Sequence, residues 1–357
     1  MLGYELKKLL FKQHGLILAL LFALIEIITL NFLYSKTNFP NMSTKEQYIK
    51  YMQIMSGKIT EEKKEFILSE QKNILTAQSE FKSLQEKVIS GELADDEYLS
   101  KYVMLEPELK KTDAFLMAFN RYKYAYGDPN RRYIMEKCDG FCRDYPDIPI
   151  ILFIVSITSV CFLSEENTRM IVLIRSYANG KKKTFVAKLL ALMFTIVTMV
   201  FTIAILELIM IYRAIGTEAF MYPIQSIEYF SGCTYNMTIF QVFSAITLLR
   251  TIGYLFIIFL TIFLCVIVKK PVPVMTVPLA LCLLQQFIFS TADKAYYIPT
   301  GFLRASGYFK GDTYNYNTSE LVFSVVPTYV LFLMALLIVI IISFVIIIGD
   351  KYYNGKK

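Results

Sequence analysis

The chain has 357 residues, of which 55% are hydrophobic and 19% charged, and its net charge is +7. Its apolar residues are concentrated in blocks of about 20, the length of helix that crosses a hydrocarbon core. This composition excludes an ordinary water-soluble globular protein. The lysines lie at the ends of the blocks, which is typical of interface anchoring and membrane orientation and not of nucleic-acid binding.

The apolar blocks are continuous and not alternating. Only helices and closed barrels satisfy their backbone hydrogen bonds in lipid, so a continuous pattern favours helices. The fold class predicted is therefore an all-α polytopic membrane protein. We expect six transmembrane helices, with a helical extracytoplasmic domain inserted between the first and the second.

Residues 1–13 predict a short amphipathic helix at the membrane interface. One of its faces carries Leu2, Leu6, Leu9 and Leu10, and the charged side chains that fall largely elsewhere are Glu5, Lys7, Lys8 and Lys12. Residues 14–34 predict the first transmembrane helix. No small-residue cleavage pattern follows it, so we interpret it as a retained span and not a signal peptide.

Residues 35–146 are polar and predict the helical extracytoplasmic domain. A helix is expected to start at Thr60, with acidic residues in its first turn, and to end at Gly91. Its apolar seam consists of Ile67, Ile74, Phe81 and Val88, with Ala77 and Leu84 between them. A short coiled-coil arm and an amphipathic helix packed on its neighbours both fit this seam. A second helix is expected from Asp95 or Asp96, and a third from about Pro107 to Tyr126.

Residues 147–357 predict transmembrane helices two to six, at 148–163, 189–212, 249–268, 272–290 and 323–349. The outer loops between them are expected at 213–247 and 291–322. Thr238 and Gln241 form a capping-box pattern that opens a helical stretch. Because that stretch, through Val268, would be about 45 Å long, we expect an interfacial piece followed by a span from Leu249.

The positive charges orient the chain. The short segments predicted inside carry fourteen Lys and Arg residues, against four in the short outer loops. Because basic residues are retained in the cytoplasm, both termini are expected to be cytoplasmic in a multi-pass plasma-membrane protein.

Several local patterns accompany this layout. They are Glu5, Lys7 and Lys8 before span one; Glu165, Glu166, Asn167, Thr168 and Arg169 after span two; Asn179, Gly180, Lys181 and Lys188 before span three; and the outer loop between spans five and six. Together they resemble the permease subunits of bacterial type-2 ABC exporters. One difference is Asn167-Thr168, where that family usually has glycine two or three positions after the acid.

The resemblance implies that residues 165–180 form a cytoplasmic coupling helix that docks on a separate ABC ATPase subunit. The contacts implied are Glu165, Glu166, Arg169, Arg175 and Glu5. ATP and Mg would then bind to the partner ATPase, with no cofactor in this chain, and a second permease subunit, identical or related, would complete the complex. Charge anchoring at the end of a span is the alternative role for these residues.

No catalytic or metal site is predicted, and the chain is expected not to be an enzyme itself. Residues 180–184, Gly-Lys-Lys-Lys-Thr, lack the earlier glycine and the preceding strand of a phosphate-binding loop. The single histidine, His14, cannot form a metal cluster. Cys138 and Cys142 are compatible with a disulfide, which an extracytoplasmic location permits, and equally with two free thiols.

Three ionisable residues fall within predicted spans, where burial is costly and a functional role is the usual hypothesis. Glu26 lies about 16 Å along span one. Glu207 and Arg250 lie at similar depth in spans three and four, and we expect them to pair. Glu26 is the better candidate for lining a cavity.

These features predict a permease subunit that couples ATP hydrolysis in a partner to export of an amphiphilic substrate, a peptide or lipid-like molecule. One alternative is a non-transporting receptor with a sensing extracytoplasmic domain. Another is an ion-coupled carrier that uses Glu26 and Glu207 as proton sites, although the sequence has no inverted halves or interrupted helix pairs.

Overall fold

A computed structural model of the chain describes residues 2–34, 40, 42–92, 94–127, 133–135, 145–167, 181–288, 296–311, 313–315, 320–323 and 328–354. Its α-helices are α1 (Leu2–Lys7), α2 (Gly15–Tyr34), α3 (Met42–Met55), α4 (Glu61–Ile89), α5 (Asp95–Tyr126), α6 (Ile148–Asn167), α7 (Lys181–Ile215), α8 (Ile239–Ile267), α9 (Pro271–Ile288) and α10 (Thr328–Asn354). The strands form two antiparallel pairs, β1 (Gly57–Lys58) with β2 (Tyr133–Ile134), and β3 (Thr313–Asn315) with β4 (Glu320–Phe323).

Five helices of the described chain are long and apolar enough to cross a membrane: α2, α6, α7, α8 and α10. The side chains of α9 are described over Pro271–Leu284, and this stretch is apolar as well. Pro271 opens this helix, where a proline costs no hydrogen bond, but Pro278 lies inside it. The structure is therefore that of a helical, membrane-embedded protein.

Several helix ends differ from the ends of the predicted spans. α7 begins at Lys181 and not at residue 189, and α8 runs unbroken through Leu249 from a complete Thr238–Gln241 capping box. Phe323 belongs to strand β4, and α10 begins five residues later. The common reason is that hydropathy marks the edge of the hydrocarbon, whereas a helix continues for as long as its backbone hydrogen bonds can form.

Helix α8 lies at the centre of the bundle and contacts α6, α7, α9 and α10. A further contact surface is the 3₁₀ segment Pro299–Phe309, which lies against α8. Gly253 of α8 permits this approach, because a Cβ there would be 3.1 Å from the backbone nitrogen of Leu303. The main apolar core of the protein lies between these elements, whereas α2 and α10 keep many apolar side chains exposed.

The insertion between α2 and α6 is helical, as predicted. Its division into separate helices differs from the prediction. α3 was not predicted, and the two helices expected from residue 95 are one helix, α5, with Pro107 inside it. A proline costs an internal hydrogen bond. Packing of α5 against both α3 and α4 offsets this cost.

The predicted seam of α4 faces its neighbours. Ile67, Ile74, Ala77 and Leu84 are buried, and Phe81 contacts the ring of Tyr102 in α5 at 5.7 Å between centroids. Ile67 and Ile74 share an apolar cluster with residues of α3 and α5. Of the two interpretations, an amphipathic helix packed within its own domain describes α4.

The insertion is anchored on the segment between α7 and α8. The Tyr124 hydroxyl donates a hydrogen bond to the carbonyl oxygen of Gln225 (2.8 Å), and the rings of Tyr133 and Tyr222 stack at 4.3 Å. The Gln225 side chain in turn donates to the carbonyl oxygens of Cys233 and Tyr235. The helical insertion is thus linked through residues 222–235 to the start of α8.

Candidate functional site

The N-terminal segment reverses direction before the first membrane helix. A π-helical turn, Lys8–Lys12, follows α1, and His14 then adopts a left-handed conformation with φ of 56°. A Cβ on Gly15 would lie 2.6 Å from the carbonyl oxygen of Leu9, so this close approach requires glycine. The reversal lets α1 pack against α7 and the π-helical turn against α2.

The face of this segment that packs against the bundle includes a charged residue. Glu5 and Leu9 are buried, whereas Leu2 is exposed. An α-helical projection places the four leucines on one face, and the structure divides them between a buried Leu9 and an exposed Leu2. The π-helical turn changes the angular spacing after Lys7, and the charge of Glu5 has a partner in the interior.

That partner belongs to a group of four charged side chains, Glu5, Lys8, Glu165 and Lys188, which we call the ionic clasp. Lys8 Nζ lies 2.5 Å from Glu165 Oε1, and Lys188 Nζ contacts Glu165 Oε2. Lys8 Nζ is also 4.0 Å from Glu5 Oε2. The clasp joins three elements: the N-terminal segment, the end of α6 and the start of α7.

The clasp is removed from solvent. The Glu165 residue is 2% exposed and Lys188 is 0% exposed. An isolated buried lysine or carboxylate would cost several kcal/mol, and the charges are tolerated because they are paired. The formal charges of the four side chains sum to zero.

Apolar and polar contacts support the clasp. Lys188 Nζ lies over the ring of Phe162, 5.6 Å from its centroid, and Phe162 makes an edge contact with Phe185. Next to it, Gln13 Nε2 donates a hydrogen bond to Ser164 Oγ at 3.0 Å. The end of α6 therefore touches the N-terminal segment at two consecutive residues.

The sequence predicted an important role for Glu165 but not its orientation. Glu165 was expected to contact an ATPase, whereas the structure turns its carboxylate into the protein. Glu166 lies in α6 with its side chain outside the described residues, and Arg169 and Arg175 also lie outside them, as do residues 168–180 of the expected coupling helix. Lys188 was assigned to the end of a basic loop, and the signal for its burial is the apolar sequence on both sides of it.

A second polar cluster lies at the opposite end of α6 and α7. Arg250 Nη1 is 3.5 Å from Glu207 Oε2, so the predicted ion pair is present. The Tyr254 hydroxyl donates a hydrogen bond of 2.9 Å to Asp147 Oδ2, and both groups are buried. Glu26, which we expected to line a cavity, is also buried, in α2.

The four residues Asp147, Glu207, Arg250 and Tyr254 form what we call the carboxylate–arginine cluster. All four line a small cleft that Thr247 also borders, and Glu26 is not among the residues that line it. Asp147 and Tyr254 were not predicted. Asp147 was overlooked because it precedes α6 and looks like an ordinary polar boundary residue.

The two clusters are separated by nearly the whole length of α6 and by a little over half the length of α7. Asp147 and Glu165 are 18 residues apart along α6 and its first preceding residue, which corresponds to about 27 Å of helix. Lys188 and Glu207 are 19 residues apart along α7, about 28 Å. Both spacings are close to the thickness of the hydrocarbon core. At one end Glu165 and Lys188 join α6 to α7. At the other end Asp147 and Glu207 join the two helices to α8.

The described cysteines lie in the interior of the protein. Cys161, Cys233, Cys265 and Cys282 are buried and free, and Cys138 and Cys142 lie outside the described residues. Burial raises the pKa of the Cys233 thiol above its ordinary value. Within the described ranges no group of three or more His, Cys, Asp or Glu side chains could hold a metal ion.

Comparison with known proteins gives no further guide. No protein-family model matches the chain, and neither a curated protein nor a solved structure matches it.

Proposed function

We propose that the chain is the membrane-spanning permease subunit of an ATP-driven exporter of the type-2 ABC class. In this proposal a cytosolic ATPase partner binds ATP and Mg and drives export of an amphiphilic peptide or lipid-like molecule. The permease pairs with a second permease subunit, both its termini are cytoplasmic, and its helical insertion is extracytoplasmic.

The observation that carries the proposal is the ionic clasp around residues 168–180. Glu165 and Lys188 are the nearest clasp members on either side of that segment, and each is fully packed within the bundle. Because they are joined to each other and to Lys8, a force on the segment between them would move α6, α7 and the N-terminal segment together. An ATPase subunit that binds residues 168–180 would therefore move the helices of the bundle.

The same movement of α6 and α7 would also affect the carboxylate–arginine cluster. A rigid helix pair that tilts at the clasp must also displace Glu207 and Asp147 relative to Arg250 and Tyr254 of α8. We propose that this displacement opens the cleft between α6, α7 and α8 during export. The roles of Glu166, Arg169, Arg175 and Glu5 as motor contacts remain part of this proposal, with Glu5 acting through Lys8.

The test uses tagged full-length protein purified with its partners from the cells that express it. We expect vanadate-sensitive ATP hydrolysis to co-purify with the wild-type chain and to be lost in the double variant Glu166→Lys with Arg169→Glu. The matched control reverses charge at another basic turn, Lys269→Glu with Lys270→Glu, and should retain the activity. The proposal is wrong if no ATPase accompanies the wild-type chain, or if the Glu166 and Arg169 variant keeps the full activity.

An ion-coupled carrier is the second candidate, and the observation that favours it is that the buried carboxylates Asp147 and Glu207 line one cleft. Buried carboxylates of this kind are typical of proton pathways. A carrier would transport in proteoliposomes that contain only this chain and an imposed proton gradient. A protonophore would stop it and ATP would not restore it, the reverse of what an ATP-driven exporter predicts.

A further inference from the structure

Some charged side chains of the N-terminal segment point into the protein, and other charged and aromatic side chains of the segment are exposed. Lys8 points inward to Glu165, whereas Lys7 and Lys12 are exposed. Two aromatic residues of the same short segment are also exposed, Tyr4 at 61% and Phe11 at 64%. The outward face thus consists of Tyr4, Lys7, Phe11 and Lys12, and we call it the aromatic–basic face.

This face is attached to the start of a membrane helix. Only Gln13 and His14 separate the π-helical turn from α2, and α1 packs along α7. A segment held in this way lies at the end of the bundle, where the hydrocarbon core gives way to headgroups. Aromatic rings and lysines are the side chains that favour this interfacial layer.

The charge of the aromatic–basic face indicates which kind of lipid headgroup it would bind. The exposed side chains of the face carry two positive charges, and Glu5, the acid of the same helix, is buried and directed to Lys8. Anionic headgroups attract such lysines, and zwitterionic headgroups do so much less. The clasp holds the segment in a fixed orientation, so the face is preorganised and little ordering cost is left for binding.

We propose that the aromatic–basic face binds the headgroups of anionic phospholipids of the bilayer in which α2 is embedded. Lys7 and Lys12 contact the phosphates, and the rings of Tyr4 and Phe11 insert between headgroups. Lys8 takes no part, since Glu165 holds it. This inference requires only that the chain is membrane-embedded and does not depend on an ATPase partner.

The chain contains no tryptophan, so Tyr4→Trp supplies a single fluorescent reporter on this face. The full-length variant is reconstituted into phosphatidylcholine bilayers with equal minor fractions of brominated phosphatidylglycerol or brominated phosphatidylcholine. Bromine quenches tryptophan only at close contact. We expect stronger quenching by the brominated anionic lipid. The preference should fall by up to roughly fivefold for each of Lys7→Gln and Lys12→Gln at low ionic strength.

The matched control is Lys269→Gln with Lys270→Gln, which removes two other exposed lysines and should leave the preference of the Tyr4→Trp reporter unchanged. Phe11→Trp is a second reporter if Tyr4→Trp does not fold. Equal quenching by the two lipids would overturn the proposal, as would a preference that survives loss of Lys7 and Lys12. Quenching by neither lipid would also overturn it, because the face would then be covered by protein, either a second copy or a soluble partner.

Discussion

Lys188 is a fully buried lysine whose ammonium group contacts a carboxylate of another helix. We expect Lys188→Met to destabilise the protein by about 3 kcal/mol, because Glu165 would stay buried with Lys8 as its remaining clasp partner. Thermal unfolding in detergent measures the change. Lys183→Met, which removes an exposed lysine of the same helix, is the control.

The same cluster allows a test of whether the two residues act as a pair. Glu165→Gln and Lys188→Met should each destabilise, and the double variant should be clearly less destabilised than the sum of the two. A loss for Lys188→Met no larger than for Lys183→Met would contradict the assignment of a buried ion pair.

The Tyr254 hydroxyl makes a contact across the bundle, to the carboxylate of Asp147. Tyr254→Phe removes that hydrogen bond without changing the ring, and leaves a buried carboxylate with one donor fewer. The expected loss of stability is about 1.5–3 kcal/mol, the range for a hydrogen bond to a charged group. Tyr212→Phe, on the exposed side of α7, is the matched control and should change the thermal midpoint little. Equal midpoints for the two variants would show that the hydrogen bond contributes nothing.

At the scale of elements, the N-terminal segment depends on one close backbone approach. Gly15→Ala should displace this segment from α6, because the new methyl group would meet the carbonyl oxygen of Leu9 at 2.6 Å. The readout is a disulfide between Gln13→Cys and Ser164→Cys, whose native side chains are in contact, in a background without the natural cysteines. The cross-link should form readily in the parent that keeps Gly15 and much less in the Gly15→Ala variant.

Gly3 provides the control for this experiment, since a Cβ there would meet nothing within 4 Å. Gly3→Ala should therefore leave the cross-link unchanged. If Gly15→Ala cross-links as well as the parent, the reversal at His14 does not position the segment.

The sequence predicted the presence of the helices more accurately than the residues at which they begin and end. Apolar blocks predicted α2 and α6 closely, and the caps at Thr60 and Thr238 marked the starts of α4 and α8 because capping chemistry is local. The continuity of α5 through Pro107 could not be predicted, because it depends on packing against α3 and α4. Local sequence also cannot identify Asp147 as the partner of Tyr254, which is 107 residues away.

The two ionic clusters were predictable to different degrees. Glu207 and Arg250 stood out because charges within apolar blocks are rare, and matching their depths gave the pair. The clasp was harder, since Glu165 and Lys188 lie where charges are common in any membrane protein. Only the structure distinguishes a buried charge from one that anchors the end of a span.

At the scale of the whole molecule, α6 and α7 form a unit with charged contacts at both ends and an apolar body between them. The clasp attaches this unit to the N-terminal segment, and the carboxylate–arginine cluster attaches it to α8. The insertion is linked to α8 as well, through Tyr124 and Gln225. A change in the tilt of α6 and α7 would thus reach every described part of the bundle, which is the mechanical requirement of the proposed exporter.

The basic residues in the short segments predict the orientation of the whole molecule, with the insertion and the turn after α8 on opposite sides of the membrane. Single cysteines at two exposed positions in a background without the natural cysteines test this, Ser100→Cys in α5 and Lys270→Cys before α9. A membrane-impermeant maleimide should modify the first in intact cells and the second only after permeabilisation. Thiol accessibility after denaturation controls for reactivity. The opposite order of labelling would invert the proposed topology, and the segment between α6 and α7 would then be out of reach of any cytosolic motor.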